Sequence, residues 1–282
     1  MTQPSYRFLD SGSGERLEQF GDIIIARPSK FAVWERRFPK LWGSAHLRYH
    51  HKEGWKKLKP VSEPWSFCAH GATLLLRTQE NGQVGVFPEH LSYAAQLEQQ
   101  IARCAAQSEG PIKVLNLFAY TGFASIVAAK AGAQVTHVDL SKKVLDWARE
   151  NFTANGISTI RMIREDAVLF LEKEAKRGNK YHIVILDPPS FSRVSQSDTW
   201  NLDEVLHRIL TLALDVLHPA PAALFATSHH FETGAHVIAN LLADAAFSQK
   251  RALLVTPTEL VLKEAETERC LPAGFLCCGE LT

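Results

Sequence analysis

At 282 residues and 46% hydrophobic content, the chain is long enough to bury one good core and a smaller second unit. Its formal net charge of +1 neither demands nor excludes a nucleic-acid partner, because a basic face can be balanced elsewhere, so local charge has to decide. The opening MTQPSYRFLD has no basic stretch running into an apolar one, and no apolar run approaches the roughly 18 residues of a membrane span, so a cytoplasmic protein with no membrane partner is expected.

From about Phe20 to Phe87 the sequence predicts short strands: Asp22 to Arg27, Ala45 to His51, Trp55 to Lys59, Thr73 to Thr78 and Gln83 to Phe87. Asn81-Gly82 separates the last two and predicts a hairpin, since a type I′ turn needs positive φ at both central residues. After Pro88, apolar residues at helical spacing (Leu91, Ala94, Ala95, Leu97, Ile101) predict a helix linking two domains, residues 1–109 and 110–282.

Strands and helices then alternate. Strands are predicted at Lys113 to Leu117, Gln134 to Val138, Ile160 to Ile163, His182 to Leu186, Ala222 to Thr227, Arg251 to Val255 and Gly274 to Glu280. Helices are predicted at Gly122 to Ala131, Lys142 to Ala154, Ala167 to Arg177, Asp203 to Leu217 and Thr233 to Ala245, with stops at Gly132 and Asn155-Gly156. The expected fold is α/β: a Rossmann-like seven-stranded sheet covered on both faces, preceded by a small β-rich amino-terminal domain.

Chemistry-bearing residues collect at the carboxyl ends of the apolar runs, where an open parallel sheet presents its ligand loops. The loop after the first of these runs, Asn116 to Gly122, holds one glycine and no GxGxxG, which argues against a pyrophosphate ligand. Asp139 ends the second run, where a carboxylate accepts from a ribose diol; its alternative role is a helix cap, which Ser141 can fill instead. Asp166 follows the third run and suits either an adenine amino group, with the Ala167 amide beside it, or a helix N-cap. Asp187-Pro188-Pro189 follows the fourth. Two prolines remove donors and leave the Pro188 carbonyl and the Asp187 carboxylate as acceptors, a setting for an amino group, or else for a purely structural aspartate.

Taken together, NLFAYTG, VDLS, RED-A and DPPSF resemble the class I S-adenosylmethionine-dependent methyltransferases of the 23S rRNA large-subunit I and K group. The stretch DSGSGERLEQFGDIIIARP with Trp34 looks like the branch of that group that lacks a PUA domain. The resemblance implies S-adenosylmethionine as cofactor and RNA as the substrate class. Carried over to this sequence, the cofactor site takes Phe118, Ala119, Tyr120, Thr121, Gly122, Asp139, Leu140, Asp166, Ala167 and Asp187, while the turn itself offers Asp187, Pro188 and Phe191 as catalytic candidates. Two departures matter. Members that make 5-methylcytosine carry a Ser-Cys-Ser type sequence after the fifth strand, whereas this chain reads Thr227-Ser228-His229-His230, so a nitrogen target is expected. The amino-methylating pattern has an aromatic directly after the second proline, and here Ser190 intervenes before Phe191.

Between Arg27 and Lys59, ten Lys and Arg stand against Glu35 and Glu53, a local net charge of +8, interleaved with Phe31, Trp34, Phe38, Trp42, Tyr49 and Trp55. Cations with stacking platforms predict single-stranded RNA contact, against the alternative of a small solvated domain with an aromatic core. The five cysteines show neither CxxC pairing nor zinc-ligand spacing, so no metal and no disulfide framework is expected. Competing functions are a protein or small-molecule methyltransferase with the same donor site, and a non-catalytic RNA-binding protein with a degenerate donor pocket.

Overall fold

A tight turn at Ser13-Gly14, both at positive φ, folds YRFLDSG back on ERLEQF and makes a hairpin of β1 (Tyr6–Gly12) and β2 (Glu15–Phe20), two strands not expected from sequence. The computed structural model describes residues 6–189, 191–193, 199–229 and 234–281, with the side chains of 191–193 and 199–205 outside that description. β3 (Ile23–Pro28), β4 (Leu47–His50) and β5 (Gly54–Lys57) complete a five-stranded sheet in the order β1-β2-β3-β4-β5. A separate hairpin pairs β6 (Trp65–Ala69) with β7 (Ala72–Leu76).

That second hairpin corrects the one expected at Asn81-Gly82. His70 and Gly71, at φ 45° and 69°, supply the two positive φ values of a tight turn. Only Gly82 is positive at the other place, because Asn81 folds its Oδ1 back to accept from the Gln83 amide at 3.1 Å. No strand forms over residues 83–87.

The chain divides into two units, residues 1–92 with 261–273, and residues 93–260 with 274–282. The division falls after Ser92 rather than after residue 109. The linking helix α1 (Ala94–Ala105) buries Leu97, Ile101 and Cys104 and packs within the second unit, where the Arg103 guanidinium donates to the Ala222 carbonyl at 3.0 Å. Segment 261–273 joins the first unit through a buried cluster of Leu262, Leu271 and Ala273 with Phe8 and Ala32, and through ion pairs. Buried Asp10 accepts from Trp42 Nε1 at 2.8 Å and from Arg269 at 2.7 Å, and Arg269 also binds Glu264, which accepts from Ser11 at 2.7 Å. A buried charge is tolerated when it is paired and hydrogen-bonded to this degree.

The second unit is a seven-stranded sheet, and its alternation follows the expected one closely. Its strands are β8 (Lys113–Leu117), β9 (Gln134–Asp139), β10 (Arg161–Arg164), β11 (Ile183–Leu186), β14 (Ala222–Ser228), β15 (Leu254–Lys263) and β16 (Cys270–Leu281), and two three-residue strands outside the sheet, β12 (Phe191–Arg193) and β13 (Thr199–Asn201), pair with each other. The order is β10-β9-β8-β11-β14-β16-β15, parallel from β10 to β14 and antiparallel between β14 and β16. Helices α2 (Phe123–Lys130), α3 (Lys142–Ala154), α4 (Ala167–Lys176), α5 (Leu202–Val216) and α6 (Gly234–Ser248) alternate with these strands. Leu115, Val184, Leu186 and Leu224 of the sheet share one buried cluster with Phe170 and Leu171 of α4 and Leu210 and Leu214 of α5. Continuous burial along β11 and β14 explains why these strands read as unbroken apolar runs rather than alternating ones.

Strand order reverses between β8 and β11. That is the switch point at which an open sheet opens a crevice, and register places Leu117 directly against Leu186 there.

Candidate active site

Because Leu117 pairs with both Val138 and Leu186, the loops after β8, β9 and β11 leave the sheet at one level. The loop after β8 is tightly folded: Phe118, Tyr120 and Gly122 have φ of 54°, 49° and 95°. Two non-glycine residues in the left-handed region store strain that surrounding bonds must hold. The Ala119 amide donates to the Val138 carbonyl at 3.1 Å, Asn151 Nδ2 donates to the Thr121 carbonyl at 2.9 Å, and the Tyr120 amide donates to Asp139 Oδ2 at 3.0 Å. Beneath the loop, buried Asn116 Nδ2 donates to Ser125 Oγ, which is 2.9 Å from Nδ1 of buried His137. Burial holds the His137 imidazole at about 3, so it stays neutral.

Asp139 has a second duty. Its Oδ1 accepts from the Ser141 amide at 2.9 Å, while Ser141 Oγ caps α3 by accepting from the Val144 amide. The cap is thus supplied by serine, and the aspartate is free of it. Burial pushes the Asp139 carboxyl above the usual range, against the pull of backbone donors at Ser141 and Tyr120. Leu140 is 47% exposed beside this carboxylate.

Asp166 is the N-cap of α4, its Oδ1 accepting from the Leu169 amide at 3.0 Å, and Ala167 is buried at the first helical position. The N-cap alternative weighed for Asp166 is therefore realised; capping engages Oδ1 and leaves the adenine assignment to Oδ2.

After β11, Asp187 is partly buried and Pro188 is buried, and Asp187 Oδ1 accepts from the Thr227 hydroxyl at 2.6 Å. His229 Nε2 lies 3.4 Å from the same oxygen. Thr227 was not singled out from sequence. Its signal is the register: Ala226 pairs with Leu186, so the next residues, Thr227 and Asp187, stand opposite each other. Phe191 opens β12, but its side chain, like Ser190 and His230, lies outside the described residues.

The buried cysteines near this site are held as thiols. Cys277 and Cys278 are buried in β16 and their thiols are pushed up to about 12; burial likewise raises Cys104.

The fit to a nucleoside ligand can be judged from these groups. Asp139 ends β9 and Asp166 follows β10, an exposed leucine directly follows Asp139, and the loop that donates to Asp139 has no cluster of glycines for a phosphate. Acceptors for hydroxyl and amino groups beside an apolar wall suit an adenosine better than a pyrophosphate. A family model for S-adenosylmethionine-dependent methyltransferases matches residues 45–248. The chain belongs to the S-adenosylmethionine-dependent methyltransferases. The solved S-adenosylmethionine-dependent methyltransferase from Agrobacterium tumefaciens is 33% identical, with a TM-score of 0.89, over 98% of this chain and 90% of that one. A methyltransferase from Streptococcus mutans shares the fold at 16% identity and a TM-score of 0.78, over 100% of this chain and 76% of that one. Among curated relatives, the ribosomal RNA large subunit methyltransferase K/L of Pseudoalteromonas atlantica is 32% identical over 63% of this chain and 24% of its own length. The ribosomal RNA large subunit methyltransferase K of Neisseria meningitidis serogroup B is 27% identical over 67% of this chain and 56% of its own length. The methyltransferase therefore spans between about a quarter and about half of these relatives.

In the first unit, the structure trims the basic, aromatic face. Arg27 is buried on Glu18 at 2.7 Å, while Arg36 pairs with Glu15 and stacks over Trp42, and Arg48 lies 3.7 Å from Glu15. Trp42 and Tyr49 are buried. Lys30, Arg37, Lys40, Lys52, Lys56, Lys57 and Lys59 remain exposed. Among the described residues no helix is long and apolar enough to cross a membrane.

Proposed function

We propose that this methyltransferase modifies a base nitrogen of ribosomal RNA in the cytoplasm. One observation carries the chemistry: the acceptor-rich turn Asp187-Pro188-Pro189 leaves the sheet in register with the donor loop, and the buried cysteines of this unit are held as thiols. Attack through pyrimidine C5 needs a thiolate partner, whereas a nitrogen lone pair needs alignment and a place for its proton. The curated relatives, named as ribosomal RNA methyltransferases, support RNA as the substrate class.

In this reading Asp139 takes the ribose diol of the donor, Leu140 and Ala167 flank its adenine, Asp166 accepts from the adenine amino group, and the backbone from Phe118 to Gly122 borders its methionine portion. Bound S-adenosylmethionine supplies an electrophilic methyl group on a positively charged sulfur, whose bond to that methyl breaks with the electron pair left on sulfur. Asp187 and the Pro188 carbonyl hold the hydrogens of the acceptor nitrogen so that its lone pair faces the methyl. The proton lost from nitrogen passes to Asp187 and on to water. Phe191 is assigned to the acceptor side of the turn, and the exposed cations of the first unit hold the RNA backbone.

The test is to incubate the full chain and labelled S-adenosylmethionine with rRNA from a strain deleted for the gene, then to identify the labelled nucleoside by mass spectrometry. An N-methylated nucleoside is expected. Label only in 5-methylcytosine, or only in protein or small molecules, would overturn the proposal, as would binding of the donor with no transfer at all.

A further inference from the structure

We propose that Thr227 and His229 are positioning residues that fix the Asp187 carboxylate for methyl transfer. The inference rests on the reading of the Asp187-Pro188-Pro189 turn given above and assigns two residues to it from a different strand. β14 runs parallel to β11 with Ala226 opposite Leu186, so Thr227 and Asp187 stand level at the carboxyl edge. Along an extended segment alternate residues share a face, so His229 follows Thr227 on that side while Ser228 turns away.

Both contacts fall on one oxygen. The Thr227 hydroxyl, buried at the strand end, donates to Asp187 Oδ1 at 2.6 Å, and its approach to the Leu186 carbonyl is longer, 3.3 Å. His229 Nε2 lies 3.4 Å from that same Oδ1. In this assignment Nε2 carries the ring proton toward the carboxylate, an approach within ion-pair range rather than an aligned hydrogen bond. The ring's place is made by β16: Gly274, at φ 146°, packs so closely that a Cβ there would lie 3.1 Å from His229 Nδ1 and 2.8 Å from the Ser228 carbonyl oxygen. One hydroxyl donor and one imidazole from the same edge, the imidazole backed by a neighbouring strand, hold the carboxylate in place. Methyl transfer depends on the angle at which the acceptor is presented, so misplacement of Asp187 by a fraction of an ångström lowers the rate without weakening binding. Neither Thr227 nor His229 touches the acceptor in this assignment.

The test compares T227V and H229L with T227S and H229Q, which keep a donor at each place, in the full chain with labelled S-adenosylmethionine and rRNA from the deletion strain. T227V and H229L are expected to lose about tenfold or more in kcat, with donor affinity and KM for RNA held within about threefold, and T227S and H229Q to stay near the parent. In a D187N background T227V and H229L should each change kcat by less than about twofold, since residues acting through one group are not additive. Nitrogen NMR of the histidine rings supplies a readout that needs no substrate: Nε2 of His229 should be protonated across the pH range, and its signal should move in D187N. Parent-like kcat in T227V and H229L beside an impaired D187N overturns this inference alone, as does a neutral His229 protonated at Nδ1. Equal losses in T227S and H229Q overturn the hydrogen-bond assignment. A parent-like D187N removes the reading of the turn, and this inference with it.

Discussion

Asp139 stands apart from an ordinary strand-end carboxylate because its cap duty is taken by Ser141 and its own oxygens tie the Tyr120 and Ser141 amides. If it also holds a ribose diol, Asp139→Ala should weaken S-adenosylmethionine binding by about 1.5–3 kcal/mol, the span for hydrogen bonds to a charged group. Calorimetry with the folded variant measures this, and unchanged affinity would take Asp139 out of the site. The sign of its pH dependence follows from the raised carboxyl. In the proposed role, donor affinity should be full where Asp139 is ionised and fall as pH drops through its pKa, so the loss should begin at a higher pH than an exposed aspartate would give. Asp139→Asn should flatten that loss. His137 gives a second pH signature, in stability. Its imidazole takes a proton below 6.5 when unfolded but only near 3 when buried, so the unfolded state binds more protons between those values and stability falls as pH falls through them. The slope for one such group is at most about 1.4 kcal/mol per pH unit. Urea unfolding of the parent and His137→Asn at several pH values should show a flatter slope in the variant, and equal slopes would mean that His137 titrates freely in the native state.

The donor loop shows at the element scale why a single glycine suffices there. Gly122 caps α2 at φ 95°, and a Cβ at this point would lie 2.5 Å from Cε1 and 2.9 Å from Cζ of Phe152 on α3. Gly122→Ala should therefore cost at least the roughly 1–3 kcal/mol of a strained non-glycine residue, with the clash on top. Phe152→Ala should relieve the clash but not the strain, so denaturant unfolding of the double variant should show positive coupling; strictly additive losses would place the strain elsewhere. Much of this unit could be read beforehand, because its strands are apolar runs, its first two helices close at glycine or Asn-Gly stops, and α3 begins and ends where its cap and its exit predict. The meeting of the loops at one switch point follows from the parallel order and was expected on that ground. What stayed hidden depends on register. Thr227 is an unremarkable residue until Ala226 is paired with Leu186, and nothing local marks residues 261–273 as belonging with β1 until Arg269 reaches Asp10. Asn81-Gly82 misled for a local reason, since the side-chain bond from Asn81 to the Gln83 amide offered the backbone another turn. β1 and β2 escaped notice because their two-residue turn, Ser13-Gly14 at φ 53° and 78°, carries a serine where asparagine or aspartate is the stronger signal.

For the molecule as a whole, a net charge of +1 conceals an uneven distribution, and the structure changes which charges count. Arg27, Arg36 and Arg48 are drawn inward by Glu18 and Glu15, so they neutralise carboxylates of their own unit and add little to an external field. The cations free to meet a phosphate backbone are the exposed ones, and of these Arg37, Lys40, Lys52 and Lys56 have no carboxylate partner among the described residues. If this unit holds the RNA, log affinity should fall linearly with log salt at a slope near −0.7 for each phosphate neutralised on a single strand. Changing Arg37, Lys40, Lys52 and Lys56 to Glu should flatten that slope while leaving S-adenosylmethionine affinity unchanged, because the residues proposed to bind the donor lie in the other unit. Changing Arg36 and Arg48 should instead lower stability with little effect on the slope, since their charges are spent on Glu15. Filter binding to rRNA across a salt series, with calorimetry for the donor, separates these outcomes. Equal slopes for the parent and the four-residue variant would move the RNA surface off the first unit and leave that unit without a part in substrate binding.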